Sequence, residues 1–502
     1  MVLLLAALPP AAADAAAATT AWMDRYWDGN AGLLWNPPGA YEDTLAAARS
    51  VHMVRESAWY AAGLLLRDGP GDAARAARTL EAVAATQYDL PGNVADGTFR
   101  RFAEDPVPPA EPVEWVDYDP NWRQFVGATL ALVLERAGDR LPAGTAAAAR
   151  KAVARAVTGD PPERVVPAYS NIALMRAWLD GWAGAALADG DAAARAASLA
   201  AATVARFDRY GTFDEYNSPT YYGIDLFALG LWRSHPTAPR MAEDGARMEA
   251  ALWEDVAAFY HAGLRNLCGP YDRSYGMDPA TYVANLSLWL WVAAGRDAAP
   301  LPDLDGAIVH AHDLCKTPVL AALGAVVPAA ARPHLTAFGG ERVVRREVPG
   351  DPTRSATAWL AADCMAGGMD SSATRTGWSQ YRPATVHWRA PDGAVAWLRV
   401  LHRGLVDAWA APGLLRVRAG PHPRHGPQET VFDASVPGVV DGGTWRLPGL
   451  SVGVDTDAAD DTDARGTGPV VEESTGGALR VAFPAPHDRR ITREWRLRLT
   501  PG

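Results

Sequence analysis

A chain of 502 residues, 49% hydrophobic and 21% charged, is too apolar to be disordered and long enough for more than one core. Its 58 acidic residues against 47 basic ones give a formal charge of −11, so no net positive field draws nucleic acid or anionic lipid. Cys268, Cys315 and Cys364 lie far apart with no Cys-x-x-Cys, which excludes a disulfide framework and a zinc knuckle. Lys151 and Lys316 are the only lysines among many arginines, which leaves little room for Schiff-base chemistry. The 19 tryptophans are the unusual feature, because indoles stack on flat apolar faces, sugar rings among them.

Val2 to Leu8 is an apolar run before Pro-Pro and Ala-rich sequence. It fits a secretory h-region except that no basic residue precedes it, so secretion and a cytoplasmic chain that simply begins with a packed helix stay equally open. No run reaches the roughly 18 apolar residues of a membrane span.

From about residue 14 to 325 the spacing predicts helices in succession. Tyr41 to Leu66 places Leu45, Ala48, Val51, Val54, Ala58, Ala61 and Leu65 on one stripe. Asp68 to Gly71 closes it, and Asp72 caps a helix over Ala73 to Gln87. Further pairs are expected near 121–156, 168–208, 219–262 and 279–325, a series that can wind as a solenoid or close into a toroid. After about residue 335 short alternating runs take over: Val343–Val348, Thr385–Arg389, Val395–Val400, Leu414–Arg418 and Trp495–Leu499, separated by Gly, Pro and Asp turns. These are antiparallel strands of a sandwich. The expected organisation is an α/α toroid over 1–330 and an antiparallel β-sandwich over 335–502, with the boundary inside Pro328–Gly340.

Four loop clusters carry the chemistry. Phe213 to Asp225 packs Tyr216, Asn217, Tyr221, Tyr222 and three carboxylates between two helices, although Ser218-Pro219 also simply suits a helix start. Cys268 to Asp278 holds Tyr271, Asp272, Arg273, Tyr275 and Asp278. Trp115 to Gln124 holds Trp115, Asn121, Trp122 and Arg123, and Tyr169-Ser-Asn171 opens a helix. All four fall at the same end of successive hairpins, where a toroid gathers loops around one cleft. In the β-region Gln380, Tyr381 and Arg382 precede a strand, and His387 reads as a packed strand residue. His310 and His312, at i, i+2 on an expected helix, should point apart, so no metal site is expected. Asp455 to Asp463 has five aspartates without the Gly and Glu of a calcium loop and reads as a solvated turn.

In this arrangement the chain resembles the polysaccharide lyases built from an incomplete α/α toroid and a C-terminal antiparallel β-domain, the hyaluronate and chondroitin lyases and the heparinase II/III-like enzymes. In the hyaluronate lyase group an Asn, a His, a Tyr in a Gly-containing loop and an Arg follow in order. Here Asn171, Asn217, Tyr221 or Tyr222 before Gly223, and Arg273 stand in those places, with Asn217 where the His is expected. The resemblance implies β-elimination on a uronate-containing polysaccharide, without a cofactor.

The residue types suit that step. A uronate loses its C5 proton only if its carboxylate is neutralised, which amide and cationic donors do. Asn171, with Asn217 or Arg273, would hold the carboxylate. Tyr222 or Tyr221 would be base and acid, its pKa of about 10 lowered by Arg273, with Tyr275 in reserve. Trp115, Asn121, Trp122, Arg123, Tyr216, Tyr271, Tyr275, Asp278 and Gln380 would bind substrate. Trp178 and Trp182, at i, i+4, are also stacking candidates but suit a helical core better. The rivals are a hydrolase on the same scaffold using two of Asp117, Asp119, Asp214, Glu215 and Asp278, a uronate epimerase, and a non-enzymatic sugar binder. No isolated carboxylate in an apolar setting stands out for the hydrolase.

Overall fold

The computed structural model describes residues 5–37, 50–456, 470–473, 477–486 and 491–502. The first part of the predicted helix from Tyr41, most of the five-aspartate turn and the start of the N-terminal apolar run lie outside them.

The helices are α1 (Pro10–Asp24), α2 (Val54–Arg67), α3 (Asp72–Ala85), α4 (Trp122–Ala137), α5 (Ala143–Thr158), α6 (Ser170–Ala186), α7 (Gly190–Tyr210), α8 (Tyr221–Ser234), α9 (Met241–Phe259), α10 (Asn285–Ala294), α11 (Thr317–Leu323) and α12 (Arg332–Thr336). Among these described residues no helix is long and apolar enough to cross a membrane.

Burial sorts them into two classes. α4 and α6 are buried on nearly every side, whereas α7 buries only Ala192, Ala196, Thr203 and Phe207. An all-apolar helix belongs inside and a one-faced helix outside. The packing follows: α2, α4, α6, α8, α10 and α11 neighbour one another in a ring that returns to α2, with α1 against α10, α11 and α2. α3, α5 and α7 lie outside α2, α4 and α6. Local signals end these helices where the sequence places them. The Asp189 side chain accepts the Ala192 N–H at 3.0 Å to start α7, and Gly211 at φ 69° stops it.

The strands after residue 340 are β1 (Arg342–Val348), β2 (Arg354–Ala361), β3 (Cys364–Asp370), β4 (Ala384–Arg389), β5 (Val395–His402), β6 (Val406–Ala411), β7 (Leu414–Ala419), β8 (Thr430–Ala434), β9 (Val439–Asp441), β10 (Thr444–Leu447), β11 (Leu450–Thr456), β12 (Val470–Glu473), β13 (Leu479–Phe483) and β14 (Arg493–Pro501). They form an eight-stranded sheet ordered β12-β13-β8-β5-β4-β3-β2-β1 and a six-stranded sheet ordered β6-β7-β14-β11-β10-β9. Every pairing is antiparallel, for example Leu398 opposite Val386 and Val417 opposite Trp495. β6 packs on β2 and β3, so the two sheets face each other as a sandwich. β5 and β7 alternate half-buried and buried residues, the period that marks a strand with one face in the core.

The protein is therefore helical first and antiparallel β second. It divides into two compact units that interleave along the chain: Met1–Gly211, Tyr221–Ala250 and Pro279–Val327 form the first, and Thr212–Thr220, Ala251–Asp278 and Pro328–Gly502 the second. The segments 212–220 and 251–278, the second of which includes the end of α9, thus belong with the strands.

Candidate functional site

Within the β-containing unit, three segments are tied together by backbone and side-chain hydrogen bonds. The Asp272 N–H donates to the Tyr216 carbonyl at 3.1 Å, and the Ser218 hydroxyl donates to the Arg273 carbonyl at 2.6 Å. Tyr271 and Arg382 exchange backbone hydrogen bonds at 3.0 and 2.9 Å, and the Ser274 N–H donates to the Gln380 carbonyl at 2.9 Å. The far end of the 268–278 loop is held at the Met277 carbonyl by Asn266 Nδ2 and by His387 Nε2. His387 is fully buried and held down to about 4 by burial, so it is a neutral loop anchor.

On that frame Arg273 is held from two sides. One terminal nitrogen donates to Glu215 Oε1 at 2.7 Å and Nε donates to Gln380 Oε1 at 3.1 Å. Its guanidinium lies 5.6 Å from the ring centre of Trp378, an indole that is 40% exposed. Tyr275 and Asp278, on the same loop, are half-buried. Beneath, Asp272 is fully buried in a bidentate pair with Arg354 at 2.7 and 2.8 Å, with Arg375 at 3.4 Å. Such a pair fixes the loop's geometry. The arrangement presents a positioned cation beside a flat apolar face, which suits an anionic sugar.

Other predicted site residues prove structural. Both Nδ2 hydrogens of Asn217 go to the Cys268 and Pro270 carbonyls at 2.7 and 2.8 Å, leaving only its buried oxygen unbonded. An acceptor repels a carboxylate, so Asn217 does not serve as the expected neutralising donor; it pins the loop. Tyr216 and Tyr271 are fully buried, the first edge-on to Phe259 and the second donating to the Leu267 carbonyl. They support the loops from below rather than line a surface.

The helical unit holds the remaining candidates apart in kind. Arg123 is fully buried and donates to the Val94 and Asp96 carbonyls, its pKa lowered to about 10 by burial. Asn121 donates to the Tyr169 hydroxyl at 2.7 Å and accepts from Arg164 at 2.9 Å. Trp122 is buried under the Arg55 guanidinium, 4.2 Å from the ring centre. All three are buried within the helical unit. Trp178 and Trp182 are core. Trp115 is half exposed at φ 67°. Asn171 and Tyr222 are fully buried in the first turns of α6 and α8, and Tyr221 is half-buried.

Two features went unread in the sequence. Burial does raise carboxylates: Asp119, Asp180 and Asp255 are each pushed up to about 6. Inner-ring helices also enclose a charged cluster. Arg55 pairs with Glu56 at 2.6 and 2.9 Å, and the Lys316 ammonium donates to Asn285 Oδ1 at 2.6 Å beside Asp313. An Arg-Glu pair at the start of an otherwise apolar helix was the available signal. His310 and His312 also converge, contrary to the i, i+2 argument. His310 adopts a left-handed conformation (φ 56°, ψ 30°) ahead of a 3₁₀ turn over Ala311–Lys316, and the two ring centres are 5.3 Å apart.

A family model described as a domain of unknown function, DUF8769, matches residues 14–325, well over half the chain. The chain belongs to that family. The DUF8769 span includes Glu215 and Arg273 but ends before Trp378 and Gln380. No curated protein matches the sequence. Among solved structures the chain is similar to heparinase III, at 9% identity and a TM-score of 0.46 over 98% of this chain and 85% of that one. It is also similar to a mutant chondroitin AC lyase from Streptomyces coelicolor A3, at 13% identity and a TM-score of 0.37 over 98% and 80%.

Proposed function

We propose that the protein is a polysaccharide lyase that cleaves a uronate-containing glycan by β-elimination. The observation that carries this reading is Arg273, fixed by Glu215 and Gln380 beside the exposed face of Trp378. The fork geometry of a guanidinium matches a carboxylate. A uronate whose carboxylate pairs with Arg273 and whose ring rests on Trp378 has its C5 proton acidified, because the charge that moves onto the carboxylate in the enolate-like intermediate meets a fixed cation.

Tyr275, half-buried two residues further along the same loop, is the base. Its phenolate takes the C5 proton, the C4–O4 bond breaks as the C4–C5 double bond forms, and the phenol returns the proton to the departing O4. Tyr221 is the second candidate for this role. Tyr222, with no exposed surface, supports α8.

The test is incubation with a panel of uronate polymers, following ultraviolet absorbance of the conjugated enoate. Wild type should generate it. Arg273→Ala and Tyr275→Phe should each lower turnover by about 10²–10⁴-fold, and Trp378→Ala should mainly raise KM. New reducing ends without absorbance would make the enzyme a hydrolase, and C5 inversion without chain cleavage an epimerase. Full turnover in Tyr275→Phe moves the base to Tyr221, to be checked with Tyr221→Phe.

A further inference from the structure

We propose that His310, His312 and Asp313 of the helical unit bind a zinc ion. Each offers one ligand atom, and the three atoms lie within 4.8 Å of one another. All three residues are buried, with 5–7% of their surface exposed. The His312 Nε2 is 3.7 Å from Asp313 Oδ2. Two imidazoles and a carboxylate are a borderline-soft donor set that favours zinc over the oxygen-seeking magnesium or calcium. With bonds of about 2.0–2.2 Å, tetrahedral ligands sit roughly 3.3 Å apart, so side-chain rotations that close the trio by about 1.5 Å complete the site.

The backbone and the surroundings are arranged for this. A left-handed conformation in a non-glycine residue is strained and persists where the surrounding structure holds it. At His310 it turns the ring toward His312, as the rings at 5.3 Å and 56° show. The two oxygens of Asp313 face different partners. Oδ2 faces His312, while Oδ1 is 3.8 Å from the Lys316 ammonium, itself anchored on Asn285. Lys316 then orients the ligating carboxylate through its far oxygen. The neighbouring Arg55 is neutralised by its pair with Glu56 and does not add an uncompensated charge. Tyr282 packs edge-on against the His310 ring at 6.1 Å. Three protein ligands leave a fourth position for water, the coordination of zinc sites that are not purely structural.

The test reads metal and is independent of any glycan activity. Full-length protein purified on a tag without histidine should carry about one zinc per chain by elemental analysis, falling by about tenfold or more in His310→Ala and Asp313→Asn. Because either variant may fold poorly, chelator-stripped wild type is also titrated with cobalt(II) alone. Visible absorption saturating near one equivalent and a raised Tm support the site. Wild type that holds under about a tenth of an equivalent of zinc and gives neither cobalt absorption nor a Tm shift overturns it, as do folded variants that keep their zinc.

Discussion

At the scale of single residues, burial outweighs the neighbouring donors and cations at Asp119. Asp119 is pushed up to about 6 by burial, against the opposing pull of the Asn121 N–H at 2.9 Å and of Arg55, Arg101 and Arg164. Its folded pKa exceeds the unfolded value of about 3.9, so its contribution to stability is full below pH 4, is lost between pH 4 and 6, and stays lost above. Asp119→Asn removes that titration. The stability difference between wild type and variant should shift by about 2 kcal/mol against wild type from pH 4 to pH 7, measured by urea denaturation at each pH. Taking the difference matters because His387, lowered to about 4, titrates with the opposite sign in the same window. A pH-independent difference would show that folding leaves the Asp119 pKa unchanged. The sequence marks the loop that holds Asp119 but not how far the half-buried carboxylate is shielded from water, which depends on what packs over it. Asn217 shows the same limit: its type suits a carboxylate, and only the positions of the Cys268 and Pro270 carbonyls decide that its donors are spent.

At the scale of elements the sequence is far more legible, because helix and strand periods are local. The expected pairs at 121–156 and 168–208 correspond to α4 with α5 and α6 with α7, and the runs at 343–348, 385–389, 395–400, 414–418 and 495–499 all fall inside strands. The 279–325 segment departs from regularity, since a 3₁₀ turn precedes α11 and no long helix carries His310 and His312. Gly223 is a case where local propensity misleads. It sits in α8, where alanine is intrinsically better by about 1 kcal/mol, yet an added Cβ would lie 2.5 Å from the Asn285 backbone carbon of α10. The close approach also lets Trp289 Nε1 donate to the Gly223 carbonyl at 2.8 Å. Gly223→Ala should therefore destabilise by about 1–3 kcal/mol in urea unfolding, because two backbones must separate. Gly144→Ala in α5, where nothing lies within 4 Å, should be neutral or stabilising by up to about 1 kcal/mol. Equal effects in the two variants would mean that α8 and α10 do not meet at Gly223.

Across the whole molecule, periodicity marks where helix gives way to strand but not which loops pack with which body. Residues 212–220 and 251–278 join the β-containing unit through contacts separated by a hundred residues or more, such as Arg273 with Gln380, and such pairings leave no local trace. Charge behaves in a similar way. Under the proposed function a net −11 would oppose a polyanionic glycan at long range, while Arg273 would attract its carboxylate at contact. These two effects respond differently to salt. The Debye length shrinks from about 30 Å at 0.01 M to about 10 Å at 0.1 M, which screens the distant repulsion first and the short Arg273 contact last. For a uronate polymer, KM should fall as salt rises from about 0.01 to 0.1 M and climb again toward 1 M, whereas a cationic local field dominating at all distances would give a monotonic rise. Steady-state kinetics in sodium chloride decides between them. In Arg273→Ala the falling limb should persist and the rising limb flatten, because only the contact that salt weakens at high concentration has been removed.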